Sequence, residues 1–366
     1  MQLLTVVGAR PQFIKAAAVS RALGATAGSE RPISERIVHT GQHYDAAMSE
    51  RFFVELGIPA PAFHLGIGGG SHGANTGRML EAIEAVLLSE RPDALLVYGD
   101  TDSTLAGALA ARKLRIPVLH VEAGLRSFNR HQPEEQNRVL TDHLAELCFA
   151  PTETAVAHLR REGIAPERIV RTGDVMADAA RIFGALAEAR TEELLRGLPL
   201  PEGPFILATI HRAENTDDPQ RLQAILEALG QAPLPVLLPL HPRTRARIAD
   251  QRLEPLLRPL LQAEPLGFLA MVLLERRSAL VVTDSGGVQK EAYLQGTPCV
   301  TVRGETEWVE LLASGWNRLA DPADPAAIQA AMAEQLSRDG SESRPLLYGD
   351  GHAAEAIVAT LQRSVC

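Results

Sequence analysis

Three acidic residues stand where proton-transfer chemistry would need them. Asp100 and Glu122 each follow an apolar run of strand length, and Glu134 follows a proline that suits a helix start. Carboxylates that share a cleft raise each other's pKa and can then exchange protons near neutral pH. We therefore expect an acid–base site. A loop cap or surface acid stays open for Asp100 and Glu122, and the helix dipole alone favours an acid at Glu134. Arg138 lies four residues after Glu134 and is expected to hold its carboxylate.

A second group of polar residues has the pattern of a phosphate site. Ser285, Gly286 and Gly287 follow an apolar run and open a helix-like segment, so free backbone N–H groups and the helix dipole would meet an anion there. The alternative that Ser285 only caps the helix is equally open. Glu291, six residues on, is placed to accept hydrogen bonds from a ribose, unless it is a solvated helix residue.

The first strand-to-helix turn could also contact an anion through Arg10 and Lys15, although a solvated surface position is the default for Lys15. Neither a dinucleotide fingerprint nor a Walker sequence occurs, which argues against nicotinamide enzymes and P-loop kinases. The eleven histidines lack zinc spacing, and no nucleophile elbow is present. We therefore expect no metal and no cofactor. His211, at the end of an expected strand, is a candidate site residue by itself and not part of a metal site.

These residues must be positioned by two series of apolar strands that alternate with helix-like segments. Such a pattern predicts two doubly wound α/β domains with parallel sheets, whose ligands bind at the carboxyl ends of the strands. We expect the domains to span residues 1–173 and 174–351, with a helix at 352–366 that packs back on the first. The expected strands are residues 3–8, 36–40, 94–100, 118–124, 147–152, 169–174, 205–211, 235–241, 279–285 and 298–303.

Composition sets the class of protein. The chain has 366 residues, of which 46% are hydrophobic and 22% charged, as expected for a globular enzyme of about two domains. A net charge of -9 argues against a nucleic-acid or anionic-membrane partner. No apolar run reaches the length of a membrane span and no signal-peptide pattern is seen, so a cytoplasmic location is expected. Cys148, Cys299 and Cys366 are expected to be buried thiols.

In this order, the motifs resemble those of the non-hydrolysing UDP-N-acetylglucosamine 2-epimerases over most of the chain. The resemblance implies the glycosyltransferase-B fold, with two Rossmann-like domains facing across a cleft, a homodimer and no cofactor. It also implies elimination of UDP to a 2-acetamidoglucal, followed by re-addition that inverts C2. The motifs are Gly8-Ala9-Arg10-Pro11, Gly99-Asp100-Thr101, His120-Val121-Glu122-Ala123-Gly124-Leu125-Arg126, Pro133-Glu134-Glu135-Gln136-Asn137-Arg138, Thr209-Ile210-His211-Arg212, Asp284-Ser285-Gly286-Gly287 and Glu305-Thr306-Glu307.

The resemblance also implies a role for each matching residue. The three acids would move the C2 proton, and His211 would assist the departing diphosphate. The diphosphate would be bound by Ser285, Gly286, Gly287 and Arg10. Glu291 would bind the ribose and Phe268 would lie near the uracil. The remaining expected substrate contacts are Lys15, Arg138, His241, Arg243 and Arg303.

Departures from the common bacterial pattern point to a branch of the family. Arg243 stands where Asn is usual, Gly304 stands where Asp is frequent, and residues 42–45 keep one glutamine of a segment that binds activating substrate in some members. Residues 126–130 and 305–310 look more like UDP-2,3-diacetamido-2,3-dideoxyglucuronate 2-epimerases and archaeal UDP-N-acetylglucosamine epimerases. A uronate substrate would need a further cation, for which Arg243 is the candidate. The alternatives are a retaining glycosyltransferase of the same fold, a hydrolysing epimerase and a catalytically silent nucleotide-sugar sensor.

Overall fold

The computed structural model describes residues 1–42, 53–338 and 344–364, and the chain divides into two compact units. One unit contains residues 1–179 together with those from Leu346 onward, and the other contains residues 180–345. The functional domain boundary expected after residue 173 stays a prediction. Within the described ranges, no helix is long and apolar enough to cross a membrane.

The first unit is built on a seven-stranded sheet in which every pair of neighbouring strands is parallel. The strand order is β3-β2-β1-β4-β5-β6-β7, so the winding direction reverses between β1 and β4. Open α/β sheets bind ligands at that point, beyond the carboxyl ends of the strands. The strands are β1 (Gln2–Val7), β2 (Ser34–His39), β3 (Phe63–His64), β4 (Ala94–Tyr98), β5 (Val118–Val121), β6 (Leu147–Ala150) and β7 (Ile169–Arg171).

Helices on both faces explain why the central strands are continuously apolar. Val6 of β1 pairs with Val38 of β2 on one side and with Val97 of β4 on the other, and all three are fully buried. The helices are Arg10–Gly24, His72–Glu90, Asp102–Lys113, Pro133–Leu144, Glu153–Arg161, Val175–Ala189, which runs into the second unit, and Ala353–Ser364; 3₁₀ turns lie at Ala25–Gly28 and Pro166–Arg168.

The second unit repeats the same plan with six parallel strands in the order β10-β9-β8-β11-β12-β13. Its winding reverses between β8 and β11. The strands are β8 (Ile206–Thr209), β9 (Val236–Pro239), β10 (Leu261–Ala263), β11 (Leu280–Thr283), β12 (Cys299–Val302) and β13 (Asn317–Ala320). The helices are Thr191–Leu195, Ala213–Thr216, Pro219–Gly230, Pro242–Asp250, Phe268–Arg277, Gly286–Gln295, Val309–Ala313 and Pro325–Leu336, with a 3₁₀ turn at Glu254–Leu257.

The predicted class, two doubly wound α/β sheets, is confirmed, and each predicted strand is present. Three strands were not predicted: β3, β10 and β13. The first two are only two and three residues long, and β13 begins with a polar pair, Asn317 and Arg318. The thiols of Cys148 and Cys299 are buried as expected, while Cys366 lies outside the described residues.

The terminal helix Ala353–Ser364 packs against the helix Arg10–Gly24 of the same unit. The buried carboxylate of Asp178 accepts hydrogen bonds from the backbone N–H groups of Ala353 at 3.0 Å and Ala354 at 2.8 Å. These are the first residues of the helix, whose N–H groups have no partner within the helix. Asp178 therefore anchors the returning chain.

Candidate active site

The turns after β1 and β4 are tied together by one buried amide. The side-chain oxygen of Gln12 accepts a hydrogen bond from the N–H of Gly8 at 2.8 Å, and its nitrogen donates to the carbonyl of Tyr98 at 2.9 Å. A Cβ atom at Gly8 would overlap the hydroxyl oxygen of Thr40. Only glycine therefore fits there, at the point where the sheet changes its winding direction.

An ion pair links the turns after β4 and β5 to the first helix. The ammonium group of Lys15 donates to Oε2 of Glu122, and the two side chains are only 11% and 8% exposed. Both lie against the bare backbone of Gly99, whose φ is +62° and where a Cβ would come within 3.3 Å of each charged atom. The default surface position for Lys15 is wrong, because the helix turns this side chain into the interior.

A second cation stands beside Asp100. Arg138 donates to Oδ2 of Asp100 and, at 2.8 Å, to Oε2 of Glu135. The prediction that Arg138 holds Glu134 is wrong, because helix phase buries Glu135 and leaves Glu134 exposed. Burial alone would lower the pKa of Arg138, but the carboxylates of Asp100, Glu135 and Glu122 outweigh it and raise that pKa.

Glu135 is a site residue that the sequence did not single out. Its carboxylate accepts hydrogen bonds from the N–H of Ser127 at 2.9 Å, the hydroxyl of Ser127 at 3.0 Å and the N–H of Phe128 at 2.9 Å. Burial would raise its pKa, but these bonds and Arg138 lower it. Glu135 therefore acts as a charged brace between a loop and Arg138. The two adjacent acids after Pro133 were the only signal for it.

Two of the three predicted acids are thus brought together. Arg138 pairs with Asp100, and the carboxylate of Glu122 lies against the backbone of Gly99, the residue before Asp100. The Asp100 side chain is 30% exposed and can meet a ligand. Glu134 is exposed in the first turn of the helix Pro133–Leu144, and its role stays a prediction. Arg10 is also exposed, at the start of its helix.

In the second unit, His211 and Asp284 meet at the ends of β8 and β11. The fully buried carboxylate of Asp284 accepts hydrogen bonds from the backbone N–H groups of His211 at 3.1 Å and Arg212 at 3.0 Å. Nδ1 of His211 lies 3.5 Å from Oδ1 of Asp284, and the imidazole is 41% exposed. Its ring centroid is 6.0 Å from that of His241, so two predicted site histidines are neighbours.

The N-terminus of the helix Gly286–Gln295 is surrounded by charged groups. Ser285 does cap this helix, accepting from the N–H of Val288 at 3.5 Å. A Cβ at Gly286 would overlap the carboxylate of Glu307 and come within 3.4 Å of the Arg212 guanidinium. Nη1 of Arg303 in turn lies 3.0 Å from Oε2 of Glu307. Ser285 therefore caps the helix at a position that is also bordered by charged groups, so a role as helix cap does not exclude a role in binding phosphate.

The remaining predicted contacts of this unit lie nearby or are engaged elsewhere. A Cβ at Gly287 would stand 3.9 Å from Oε1 of Glu291, so that carboxylate reaches back along the helix. Phe268 is buried and packs edge-to-face on Phe183 at 5.5 Å. Arg243 pairs with Asp217 at 2.7 Å. Of the glutamine segment at residues 42–45, residues 43–45 lie outside the described residues.

This arrangement provides two kinds of chemistry. The first unit offers carboxylates beside cations, which can take and return protons. The second offers a helix N-terminus with arginines and a histidine, which suits a phosphorylated group. Among the residues that the structure describes, no group of three or more His, Cys, Asp or Glu side chains could hold a metal ion.

Comparison with known families gives one match that covers most of the chain. Residues 26–362 match the family model described as UDP-N-acetylglucosamine 2-epimerase. A UDP-2,3-diacetamido-2,3-dideoxy-D-glucuronate 2-epimerase of Pseudomonas aeruginosa is 50% identical over 371 residues, covering 99% of this chain and 100% of that protein. A UDP-N-acetylglucosamine 2-epimerase of Methanocaldococcus jannaschii is 41% identical, over 99% of both chains.

Solved structures agree over the same length. The crystal structure of the Methanocaldococcus jannaschii UDP-GlcNAc 2-epimerase in complex with UDP-GlcNAc and UDP superposes with a TM-score of 0.85 at 39% identity, covering 99% of this chain and 100% of that one. The enzyme from Neisseria meningitidis bound to UDP-GlcNAc gives a TM-score of 0.87 at 31% identity, with the same coverage.

Proposed function

The chain belongs to the UDP-N-acetylglucosamine 2-epimerase family, and from that membership we propose that it inverts C2 of a UDP-2-acetamido sugar. The first candidate reaction is the interconversion of UDP-N-acetylglucosamine and UDP-N-acetylmannosamine. The observation that carries the proposal in this chain is that two acids lie close together, because Asp100 directly follows Gly99 and the carboxylate of Glu122 lies against the Gly99 backbone. A protein that only bound the nucleotide would not need these two acids.

Most of the residues that bind the nucleotide belong to the second unit, whereas Arg10 belongs to the first. The N–H groups that open the helix at Gly286 receive the diphosphate, with Ser285, Gly287 and the arginines at 10 and 303 as further contacts. Glu291 accepts from the ribose hydroxyls and Phe268 lies near the uracil. The support is the helix N-terminus itself, bordered by Arg212 and by the pair Arg303–Glu307.

The reaction proceeds by elimination and re-addition. A carboxylate removes the C2 proton, the electron pair forms the C1–C2 double bond, and the bond from C1 to the diphosphate oxygen breaks. UDP then adds back to C1 while a proton is delivered to the opposite face of C2. Asp100, Glu122 and Glu134 share the two proton transfers, and His211 assists the departing diphosphate. Preorganised donors and cations stabilise the negative charge that develops on UDP.

A second substrate is favoured by one observation. The Pseudomonas aeruginosa relative at 50% identity is named for a diacetamido glucuronate nucleotide. Such a substrate would need a cation for its carboxylate, and Arg243 is the candidate. In the structure Asp217 holds the guanidinium of Arg243, together with that of Arg247. Arg243 would therefore have to exchange or share that partner with the sugar.

Three further features are expected, the first two from the family resemblance and the third from the sequence pattern. We propose that the enzyme is a homodimer, that it works without a cofactor and that it is cytoplasmic. Each has its own check: light scattering for the dimer, activity after exhaustive dialysis with a chelator for the cofactor, and fractionation of cells for the location.

The function is tested by giving the purified protein each nucleotide separately and following the sugar by NMR. We expect conversion of at least one of them to a mixture of C2 epimers that still carry UDP. No conversion of either would overturn the proposal, and release of free UDP with a free sugar would indicate a hydrolysing epimerase instead. A glycosyltransferase would turn over only when an acceptor sugar is supplied.

Two variants test the acids directly. We expect Asp100→Asn and Glu122→Gln to lower kcat by about 100-fold or more while calorimetry finds UDP affinity little changed, since proton transfer typically contributes 10²–10⁴-fold. Glu146→Gln is the matched control, because that acid is exposed and pairs with exposed Arg112. Equal losses of turnover and UDP affinity would remove these acids from the proposed role.

A further inference from the structure

A histidine occupies the interior of the apolar strand β5. His120 is fully buried between Leu119 and Val121 and has a hydrogen-bond partner at each ring nitrogen. Nδ1 lies 2.7 Å from Oδ1 of Asp142, and Nε2 lies 2.8 Å from the carbonyl oxygen of Gly99. A carboxylate and a carbonyl only accept. Both ring nitrogens must therefore donate, which is possible only for the doubly protonated, positively charged imidazole.

The charge on Asp142 completes this argument. Its second oxygen accepts from the N–H of Gly124 at 3.1 Å and lies 2.7 Å from the Arg126 guanidinium, which also pairs with Glu162. Burial would raise the pKa of Asp142, but His120 and Arg126 outweigh it and lower that pKa. Asp142 is therefore the anion and His120 the cation. With Arg126 and Glu162 the four charges balance, as a buried ionic group requires.

The contacts of this pair end at the two turns that carry the acids. Gly99, whose carbonyl receives the His120 proton, directly precedes Asp100. Gly124, whose N–H is held by Asp142, lies two residues after Glu122, which has a left-handed φ of +73°. A non-glycine residue keeps such a conformation only when its surroundings impose it. One buried pair thus fixes the turns after β4 and β5 relative to each other.

We propose that His120 and Asp142 are positioning residues for the proton transfer at C2, with His120 in its doubly protonated form. They touch neither the sugar nor UDP and act through Asp100 and Glu122. The inference rests on the proposed function for its catalytic part, whereas the charge of His120 follows from its hydrogen bonds and from the negative charge of Asp142.

The charge of His120 is tested on the unaltered protein. In ¹⁵N NMR spectra of histidine side chains at pH 8, an ordinary exposed imidazole with a pKa of about 6.5 is almost wholly neutral. We expect one imidazole, assigned by its loss in His120→Gln or by its bonds to Asp142, to keep protons on both nitrogens at that pH. A His120 with one bare nitrogen at pH 8 would overturn the proposal.

The positioning role is tested by His120→Gln and Asp142→Asn. We expect kcat per UDP-binding site, counted by calorimetry, to fall by about 100-fold, because displacement of a reacting group by about 1 Å can cost that much. The Kd for UDP should stay within about twofold. His352→Gln is the control, because His352 is exposed in the same unit and its ring pairs with Glu355.

A merely structural role gives a different result. The variants would then melt at lower temperature and contain fewer folded molecules, while each UDP-binding site would keep the wild-type kcat, and the positioning role would be refuted. If the variants do not fold, the NMR measurement on the wild type decides. If the wild type converts neither nucleotide, the proposed function fails, but the NMR result still decides the charge of His120.

Discussion

Lys15 and Glu122 form an ion pair in the interior of the first unit, although 107 residues separate them in the sequence. Lys15 comes from the helix after β1 and Glu122 from the turn after β5. The pair lies on the backbone of Gly99, in the turn after β4. Three strand ends therefore meet at one charged contact, and the sheet order explains why they can.

Removing the cation of this pair should be costly. We expect Lys15→Met to lower the free energy of unfolding by about 3 kcal/mol, because it removes a cation that contacts a buried carboxylate. Urea denaturation monitored by circular dichroism measures the change. Arg112→Met is the matched control. It breaks an exposed ion pair with Glu146 and should change stability by less than about 1 kcal/mol.

The double variant Lys15→Met/Glu122→Gln separates the lost ion pair from lost packing. Neutralising Glu122 removes the charge that Lys15 had balanced, so the double variant should be more stable than Lys15→Met alone. If the two effects simply add, the pair contributes no coupling, and the importance given to this contact is wrong.

A methyl group at Gly99 should lower kcat in addition to lowering the free energy of unfolding. Gly99→Ala forces a left-handed φ on alanine, at about 1 kcal/mol, and also pushes against both Lys15 and Glu122. Gly163→Ala has the same backbone problem, with φ at +85°, but nothing lies within 4 Å of its new Cβ. Both variants should lose similar stability. Only Gly99→Ala should lose kcat, and equal kcat values in the two variants would speak against the site geometry.

Much of the fold is readable from the sequence because buried parallel strands are continuous apolar runs. The strand β13 escaped this test, since Asn317 is polar yet fully buried. Its side-chain oxygen accepts from the hydroxyl of Thr301 at 2.9 Å, so the strand satisfies a polar group by hydrogen bonding across to β12. Such pairing depends on the neighbouring strand and cannot be seen in a local pattern.

The sequence predicted which strand ends carry the site acids, but it did not predict which cations pair with those acids. Asp100 and Glu122 were expected together because their strands end at one edge of the sheet. Their cations were not assigned, because the choice between Glu134 and Glu135 depends on helix phase, and the burial of Lys15 depends on packing. The sequence does contain a signal for His120, because it is a polar residue within an apolar strand.

A side chain at Gly286 should weaken binding of the nucleotide. The Cβ added in Gly286→Ala would overlap the Glu307 carboxylate and narrow the approach to the helix N-terminus. We expect the Kd for UDP, measured by calorimetry, to rise at least about tenfold, equivalent to about 1.4 kcal/mol. Gly203→Ala, where nothing lies within 4 Å of the new Cβ, should bind UDP normally. Unchanged binding by Gly286→Ala would remove this helix from the nucleotide site.

His39 should make the protein sensitive to mild acid. Burial first, and then the charge of His64, lower the pKa of His39 from 6.5 to about 4. Between about pH 6.5 and pH 4 His39 is protonated in the unfolded chain but neutral in the folded chain. The free energy of unfolding therefore falls as the pH falls from about 6.5 to about 4. The contribution is fully present above pH 6.5 and amounts to about 3 kcal/mol at most.

Replacing His39 by phenylalanine should flatten that dependence. The ring already stacks on Phe13 at 5.2 Å, so His39→Phe keeps an aromatic contact while removing the titrating group. Urea denaturation between pH 4 and 7 measures the slope. The control His352→Phe alters an exposed histidine and should keep the wild-type slope. An unchanged slope in His39→Phe would show that other groups cause the acid sensitivity.

The most direct test of the account is the fate of the hydrogen at C2. The enzyme should be given UDP-N-acetylglucosamine, and separately the diacetamido glucuronate nucleotide, in D₂O, with the sugar followed by proton NMR. We predict that the epimer formed carries deuterium at C2, and that Glu122→Gln incorporates it far more slowly. Epimers that keep their original C2 hydrogen, or an unchanged substrate without exchange, would contradict proton transfer by these acids.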